Sequence, residues 1–251
     1  MIERLAVYHV ERPEPEQTAL QHQDHSTAFA ASDPHNGASF VTTTLTAAQL
    51  ERLDAAFRLG ADDATDAMAK WLSAPSLISI ESVEQHPIDD TLEMLSESDD
   101  ALCFCIVALT GSLTGHLVLS FDDESGLRLA DLLLGQSSGT ATEWGEVEQS
   151  AALESHNIIG CAYLNSLAKH LPGAENEPLE LIPSPPEFRR DFAEALLESL
   201  FMEQAIASDS IFVARARFEL KGEPLHWTLL FVPDAPSMET LHTVLSREDS
   251  V

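Results

Sequence analysis

Lysine is almost absent from this chain. Among 251 residues only Lys70, Lys169 and Lys221 are lysines, and 13 Lys and Arg face 42 Asp and Glu, for a net charge of −29. Such an excess repels nucleic-acid phosphates and anionic headgroups, so neither nucleic acid nor a membrane is expected as a partner. It suits a salty cytoplasm and equally a plain acidic bacterial protein, and it says nothing about fold. Cysteine is scarce as well. Three thiols make no disulfide framework and there is no CxxC; Cys103 and Cys105, two apart in the strand-like run CFCIVAL, should face one way as small core hydrophobes. No apolar run approaches the roughly 20 residues of a membrane helix. The opening MIERLAVYHVERPEPEQ has neither the basic start nor the apolar stretch of a signal peptide, so a cytoplasmic location is expected. Also missing are GxSxG, HExxH, the P-loop and GxGxxG, and with them the enzyme classes those motifs serve.

What is present is periodic. Residues 1–43 carry no sustained period and read as a disordered extension; His22 and His25 form a lone metal-ligand pair with no further ligand placed near them. From Thr44 the pattern becomes regular. Thr46 and Gln49 fit a capping box, opening a helix that runs to Leu72. Strands are expected at 76–83, 101–110 and 113–121, the last two joined by a tight turn at Gly111-Ser112, followed by a helix over 123–134 that stops at Gly135. Residues 136–142 read as a linker. The same order then recurs: a long helix over 145–171, a strand over 178–182, a Ser-Pro-Pro break at 184–186 and a periodic helix over 187–205 that begins with the surface pair Arg189-Arg190. Two strands joined at Lys221-Gly222-Glu223 and a helix over 237–245 complete it.

The recurrence points to an internal duplication. Leu113 matches Leu225, Asp122 matches Asp234, Ser125 matches Ser237, and Met68 matches Leu167. The expected fold is α+β: duplicated helix and strand units form one antiparallel sheet, pseudo-twofold symmetric, with the long helices packed on it. The expected domain covers 44–245, as halves 44–135 and 143–245, with 246–251 as a tail.

One constellation carries chemistry. Ser150, Glu154 and Asn157 stand at i, i+4 and i+7 of the second long helix and form one stripe. Val147, Ala151, Ile158 and Ala162 are expected on the core side. His156, about 100° round the helix from Asn157, is expected at the surface. A polar stripe alone is ordinary and most often a solvated face.

The surrounding string is more specific. ALESHNIIGCAYLNSLAKHL followed by LELIPSPPEFRRDFAEALL resembles the second phosphatase segment of the CheC/CheX/FliY family of bacterial chemotaxis proteins. That family's signature, Asp or Ser, then Glu, then Asn, then a Pro ending the next strand, falls on Ser150, Glu154, Asn157 and Pro183. The resemblance spans about 44–245, with a loop insertion in LPGAENEP. It implies hydrolysis of the aspartyl phosphate of a CheY-type response regulator. In that role Glu154 meets the regulator's lysine, Asn157 holds a water, and Ser150 supports at the rim. No cofactor is bound by this chain, because the Mg²⁺ belongs to the regulator; CheD is a second candidate partner. The first half departs from the pattern. Aligning Ala67-Met68 with Ser166-Leu167 puts Ala55 where Glu154 stands and Arg58 where Asn157 stands, so the first site is expected to be inactive. Two other readings stay open: a non-catalytic protein that binds phosphorylated regulator or CheD, and a flagellar-switch component like FliY.

Overall fold

The computed structural model describes residues 44–247 except 96–99, 172–176, 203–209 and 221–222. The expectations for the extension at 1–43 with His22 and His25, the insertion at 172–176, the Lys221-Gly222 turn and the last tail residues lie outside the described residues. The first half runs α1 (Ala47–Leu72), β1 (Ser76–Pro87), α2 (Ile88–Leu95), β2 (Leu102–Gly111), β3 (Gly115–Phe121) and α3 (Asp123–Leu134). The second runs α4 (Glu146–His170), β4 (Leu181–Pro183), β5 (Glu187–Asp191), α5 (Ala193–Met202), β6 (Ser210–Leu220), β7 (Glu223–Pro233) and α6 (Ala235–Leu245).

Local chemistry sets the ends of these elements. The Thr46 hydroxyl accepts from Gln49 N at 3.3 Å while Gln49 Oε1 accepts from Thr46 N at 2.8 Å, closing the expected capping box. Asp122 accepts from Ser125 N at 2.6 Å and Asp234 accepts from Ser237 N at 2.9 Å, so α3 and α6 begin on the same device. Gly135 ends α3 in the left-handed conformation, φ 71°.

The strands form one antiparallel sheet in the order β1-β6-β7-β3-β2-β4, with β5 also on β2. Its centre fixes the symmetry. Val118 of β3 pairs with Leu230 of β7, and the two are 112 residues apart, as are the capping residues Asp122 and Asp234. The pseudo-twofold axis therefore passes through this pair, the one place in the β3–β7 ladder where a residue meets its own counterpart. The outer strands are exchanged: β1 of the first half lies on β6 of the second, and β4 and β5 of the second lie on β2 of the first.

Both faces of the sheet are covered, which explains why CFCIVAL reads as a continuous apolar run. Cys103, Cys105, Val107 and Leu109 join α1, α3, α4 and α6 in the larger core, so the two cysteines share a face as expected. Phe104, Ile106 and Val118 face the other way, with Ala193 and Leu196 of α5. The long helices touch through Gly60, where an added Cβ would come 2.6 Å from Tyr163 Cδ1. Buried Ser166 Oγ donates across the same seam to Ala56 O at 3.0 Å.

Three expectations need correction. The helix expected over 187–205 begins only at Ala193; Glu187–Asp191 is a strand, and Arg189 and Arg190 stand on it rather than at a helix start. The free edge of β2 takes these backbone groups, and that tertiary pairing overrides the helical period. The turn between β2 and β3 is longer than Gly111-Ser112, because Gly111 still belongs to β2 and β3 starts at Gly115. The stretch 136–142, expected as a linker, carries no helix or strand, and buried Asp131 holds it by accepting from Thr140 N at 2.8 Å and Ala141 N at 2.9 Å. Between 84 and 100, where no element is expected, β1 continues to Pro87 and α2 comes after it.

Gly115 has φ 137°, and an added Cβ would sit 2.1 Å from Val232 O. Gly115→Ala should destabilise the protein by about 3 kcal/mol, from backbone strain and from overlap in the central pair. Urea unfolding checks this, and a midpoint equal to wild type would contradict the tight β3–β7 approach.

Candidate active site

The helix α4 that carries the stripe repeats α1 at an offset of 99 residues. Leu53, Ala56, Phe57, Gly60, Ala61, Ala64 and Met68 are buried in α1; Ala152, Ser155, His156, Ile159, Gly160, Tyr163 and Leu167 are buried at the same offset in α4. The matched faces fix what remains outside. Ser150 and Asn157 are exposed and Glu154 is half-buried, on one surface stripe.

The core side differs from the expectation in two places. Val147 is 56% exposed, and Ala151 and Ile158 are only half-buried; Ala162 alone of the four is fully in the core. His156 is not a surface residue but is 0% exposed, because it takes the core position that Phe57 holds in α1. Neither ring nitrogen has a hydrogen-bond partner, and burial lowers its pKa to about 4. A neutral, enclosed imidazole cannot serve a reaction at the surface.

Each stripe residue has a defined local setting. Ser150 Oγ donates back to Glu146 O at 2.6 Å, so its proton is used within the helix. Asn157 Oδ1 accepts from Cys161 Sγ, one turn on, at 3.8 Å. Burial, and next the Glu154 carboxylate, raise the pKa of the Cys161 thiol, which keeps its proton on the sulfur. Glu154 makes no salt bridge among the described residues, leaving its carboxylate available to a cation from outside. Pro183 is half-buried, ends β4, and pairs with Leu109. Ser184 then locks the chain to Ala108: its N donates to Ala108 O at 2.8 Å and its Oγ accepts from Ala108 N at 3.0 Å.

Sequence reasoning missed the anchor at the entry to α4. Asp123 accepts from Trp144 Nε1 at 2.8 Å, from Cys103 Sγ at 3.2 Å and from Arg190 in two-pronged contact, at 2.9 Å from Nε and 2.5 Å from Nη2. Arg190 first, with Trp144 and Cys103, holds that carboxyl at about 2. Trp144 packs on Phe188 of β5 with ring centroids 4.8 Å apart. The start of α4 is thereby tied to α3, β2 and β5. Nothing in the local pattern of Asp123 marks it as such a hub, because its partners arrive from distant strands.

The counterpart positions in α1 carry different side chains. Ala55 is exposed and offers no polar group. Arg58 is held by Asp54, Nε to Oδ2 at 2.6 Å and Nη2 to Oδ1 at 3.0 Å, while its Nη1 donates to Ile80 O of β1 at 2.7 Å. Arg58 is a clamp between α1 and β1.

Among the described residues no group of His, Cys, Asp and Glu is placed to hold a metal ion, and no helix is long and apolar enough to cross a membrane. No protein-family model matches the chain. Solved structures do resemble it. FliY of Thermotoga maritima superposes with a TM-score of 0.65 at 18% identity, over 81% of this chain and 98% of FliY. The FliM middle domain of H. pylori gives 0.58 at 12% identity, over 80% of this chain and 99% of the domain. A chain of the H. pylori FliG–FliM complex gives 0.55 at 12%, over 81% and 100%. The fold of this chain is the one these proteins share.

His156 generates a pH test. Its folded pKa lies below the ordinary 6.5, so its contribution is fully present above 6.5 and is lost as pH falls from 6.5 towards 4, while the unfolded chain takes up the proton. The slope is at most about 1.4 kcal/mol per pH unit. His156→Phe, which copies Phe57, should raise stability at neutral pH and flatten that window. Unfolding free energies measured at several pH values check both effects.

Proposed function

We propose that this chain is a phosphatase of the CheC/CheX/FliY type, which hydrolyses the aspartyl phosphate of a CheY-type response regulator at one site. The observation that carries the reading is the stripe itself. The Glu154 carboxylate, without a salt bridge among the described residues, and the exposed Asn157 amide sit one turn apart on α4, on a fold shared with FliY. Pro183 ends the strand in the signature's place.

The chemistry needs little from the enzyme except placement. A phosphorylated regulator carries its own Mg²⁺ and lysine beside the phosphoryl group, and this chain is assigned no metal of its own. What is missing is an ordered nucleophile, and positioning is the main catalytic resource in phosphoryl transfer. Asn157 holds a water in line with the scissile bond. The water oxygen's lone pair attacks phosphorus. The bond from phosphorus to the aspartyl oxygen breaks with its electron pair, leaving aspartate on the regulator. The water's proton leaves on the inorganic phosphate. Glu154 receives the regulator's lysine and so fixes the register of Asn157. Ser150, its proton already engaged, offers only an acceptor at the rim. The location consistent with this role is the cytoplasm, and CheD is a second candidate partner.

The likeness to FliM middle domains favours one other reading, an interaction protein of the flagellar switch without catalysis. Loss of phosphate from purified phosphorylated regulator on adding this chain separates the two, and an unchanged lifetime for the phosphate would reject the phosphatase.

Two variants divide the work. Asn157→Ala should lower single-turnover rate about 100-fold with little change in affinity, since its bond to water matures in the transition state. Glu154→Ala strands a lysine in the interface at a cost of about 2–5 kcal/mol, so affinity for regulator bearing a phosphate mimic should fall about 30-fold or more. Equal affinity losses would remove this division of labour. Arg58→Ala, in the first half, should leave turnover unchanged.

A further inference from the structure

The pseudo-twofold relation lets the first half report on the second. Cys105 pairs with Leu119, and Phe212 pairs with Phe231, which is 112 residues beyond Leu119; β2 and β6 therefore correspond as Cys105 to Phe212 and Leu109 to Ala216. Pro183 pairs with Leu109 and Ile80 pairs with Ala216, so Pro183 is the counterpart of Ile80. Arg58 is the counterpart of Asn157 by the offset between α1 and α4. An extra residue follows each of these strand residues, directly after Ile80 in the first half and beyond Ser184, which still bonds Ala108, in the second. Between Ile80 and Ser82 the strand carries one residue more than β6 opposite it, and between Pro183 and Glu187 one more than β2. A bulge of this kind turns a backbone group away from the ladder. In the first half that group is Ile80 O, and it accepts from Arg58 Nη1 at 2.7 Å.

We propose that the carbonyl oxygen of Pro183 faces Asn157 across a gap that holds one water molecule, and that this carbonyl is the second acceptor that orients the attacking water. The catalytic role of the water rests on the phosphatase reading; its position does not. An asparagine amide ends three bonds nearer its Cα than a guanidinium nitrogen, a shortfall of about one water molecule. The donor and acceptor that touch directly in the first half are therefore bridged in the second.

The chemistry calls for a second acceptor. A water that directs a lone pair at phosphorus must place both of its protons on other groups. Asn157 has one acceptor atom, Oδ1, and one of its two lone pairs already takes the Cys161 thiol proton. The other can take one water proton, and Pro183 O takes the second. Both groups only hold these protons in hydrogen bonds; neither is protonated, and the proton released on attack still leaves with the phosphate. The proline suits this place. It has no N–H of its own, and Ser184 behind it is bonded twice to Ala108, so its carbonyl is fixed in direction.

The test is a crystal structure of the full chain at a resolution that orders water, together with the variant Asn157→Arg. The expected result is one water about 2.6–3.2 Å from both Asn157 Oδ1 and Pro183 O. In Asn157→Arg the longer side chain should displace it and donate directly to Pro183 O, as Arg58 does to Ile80 O. The thermal midpoint of this variant should then lie above that of Asn157→Ala. A guanidinium that turns to solvent, with no gain in midpoint over Asn157→Ala, overturns the inference. Turnover of phosphorylated regulator by the wild type without a bridging water overturns this inference alone. A bridging water without turnover overturns the phosphatase reading, and with it the catalytic meaning of this water.

Discussion

The first strand of each half finds its partner only in the other half. β1 lies on β6, and β4 with β5 lies on β2, while β3 and β7 meet at the centre, where Val118 pairs with Leu230. This exchange makes one sheet out of two incomplete ones. It also sets α1 and α4 side by side on one face, because each long helix must cover the strands of both halves. The surface stripe on α4 is a result of it: once Ala152, His156, Ile159 and Tyr163 are committed to the core, Ser150, Glu154 and Asn157 have only the outside left.

Within that symmetric frame the halves differ at a few side chains. Arg58 is tied to Asp54 and to the carbonyl of Ile80, so the first half uses its position for holding helix to strand. In the second half, anchoring is moved to the helix entry, where Asp123 gathers Trp144, Arg190 and Cys103. The outer face of α4 is left with Ser150, Glu154 and Asn157, none of which clamps the helix to a strand among the described residues. The buried His156 is a costly substitution in this exchange, a polar ring without hydrogen-bond partners in a place where α1 has Phe57.

Much of this was legible in the sequence, and for identifiable reasons. The helix over 123–134 announces itself by Asp122 at its cap and Gly135 at its end, and Thr46 with Gln49 opens α1. The stripe is a matter of helical spacing, which needs no tertiary knowledge. What was not legible depends on partners far away in the chain. EFRRD shares the helical period of the residues after it, and only the open edge of β2 makes it a strand. His156 sits one residue from an exposed asparagine, and only the match to Phe57 places it inside. The role of Asp123 appears only when three distant segments close round it.

The strand exchange also has a consequence for synthesis. Ser76 of β1 waits for Leu220 of β6, 144 residues later. On the ribosome the first half can form α1 and the β2–β3 hairpin early. It still keeps one face of the sheet and two strand edges open until nearly the whole chain has emerged. A nascent chain in this state is the one most exposed to pairing with a neighbour, and dense acidic charge repels such neighbours. The −29 surface would then be as useful during birth as in the finished protein.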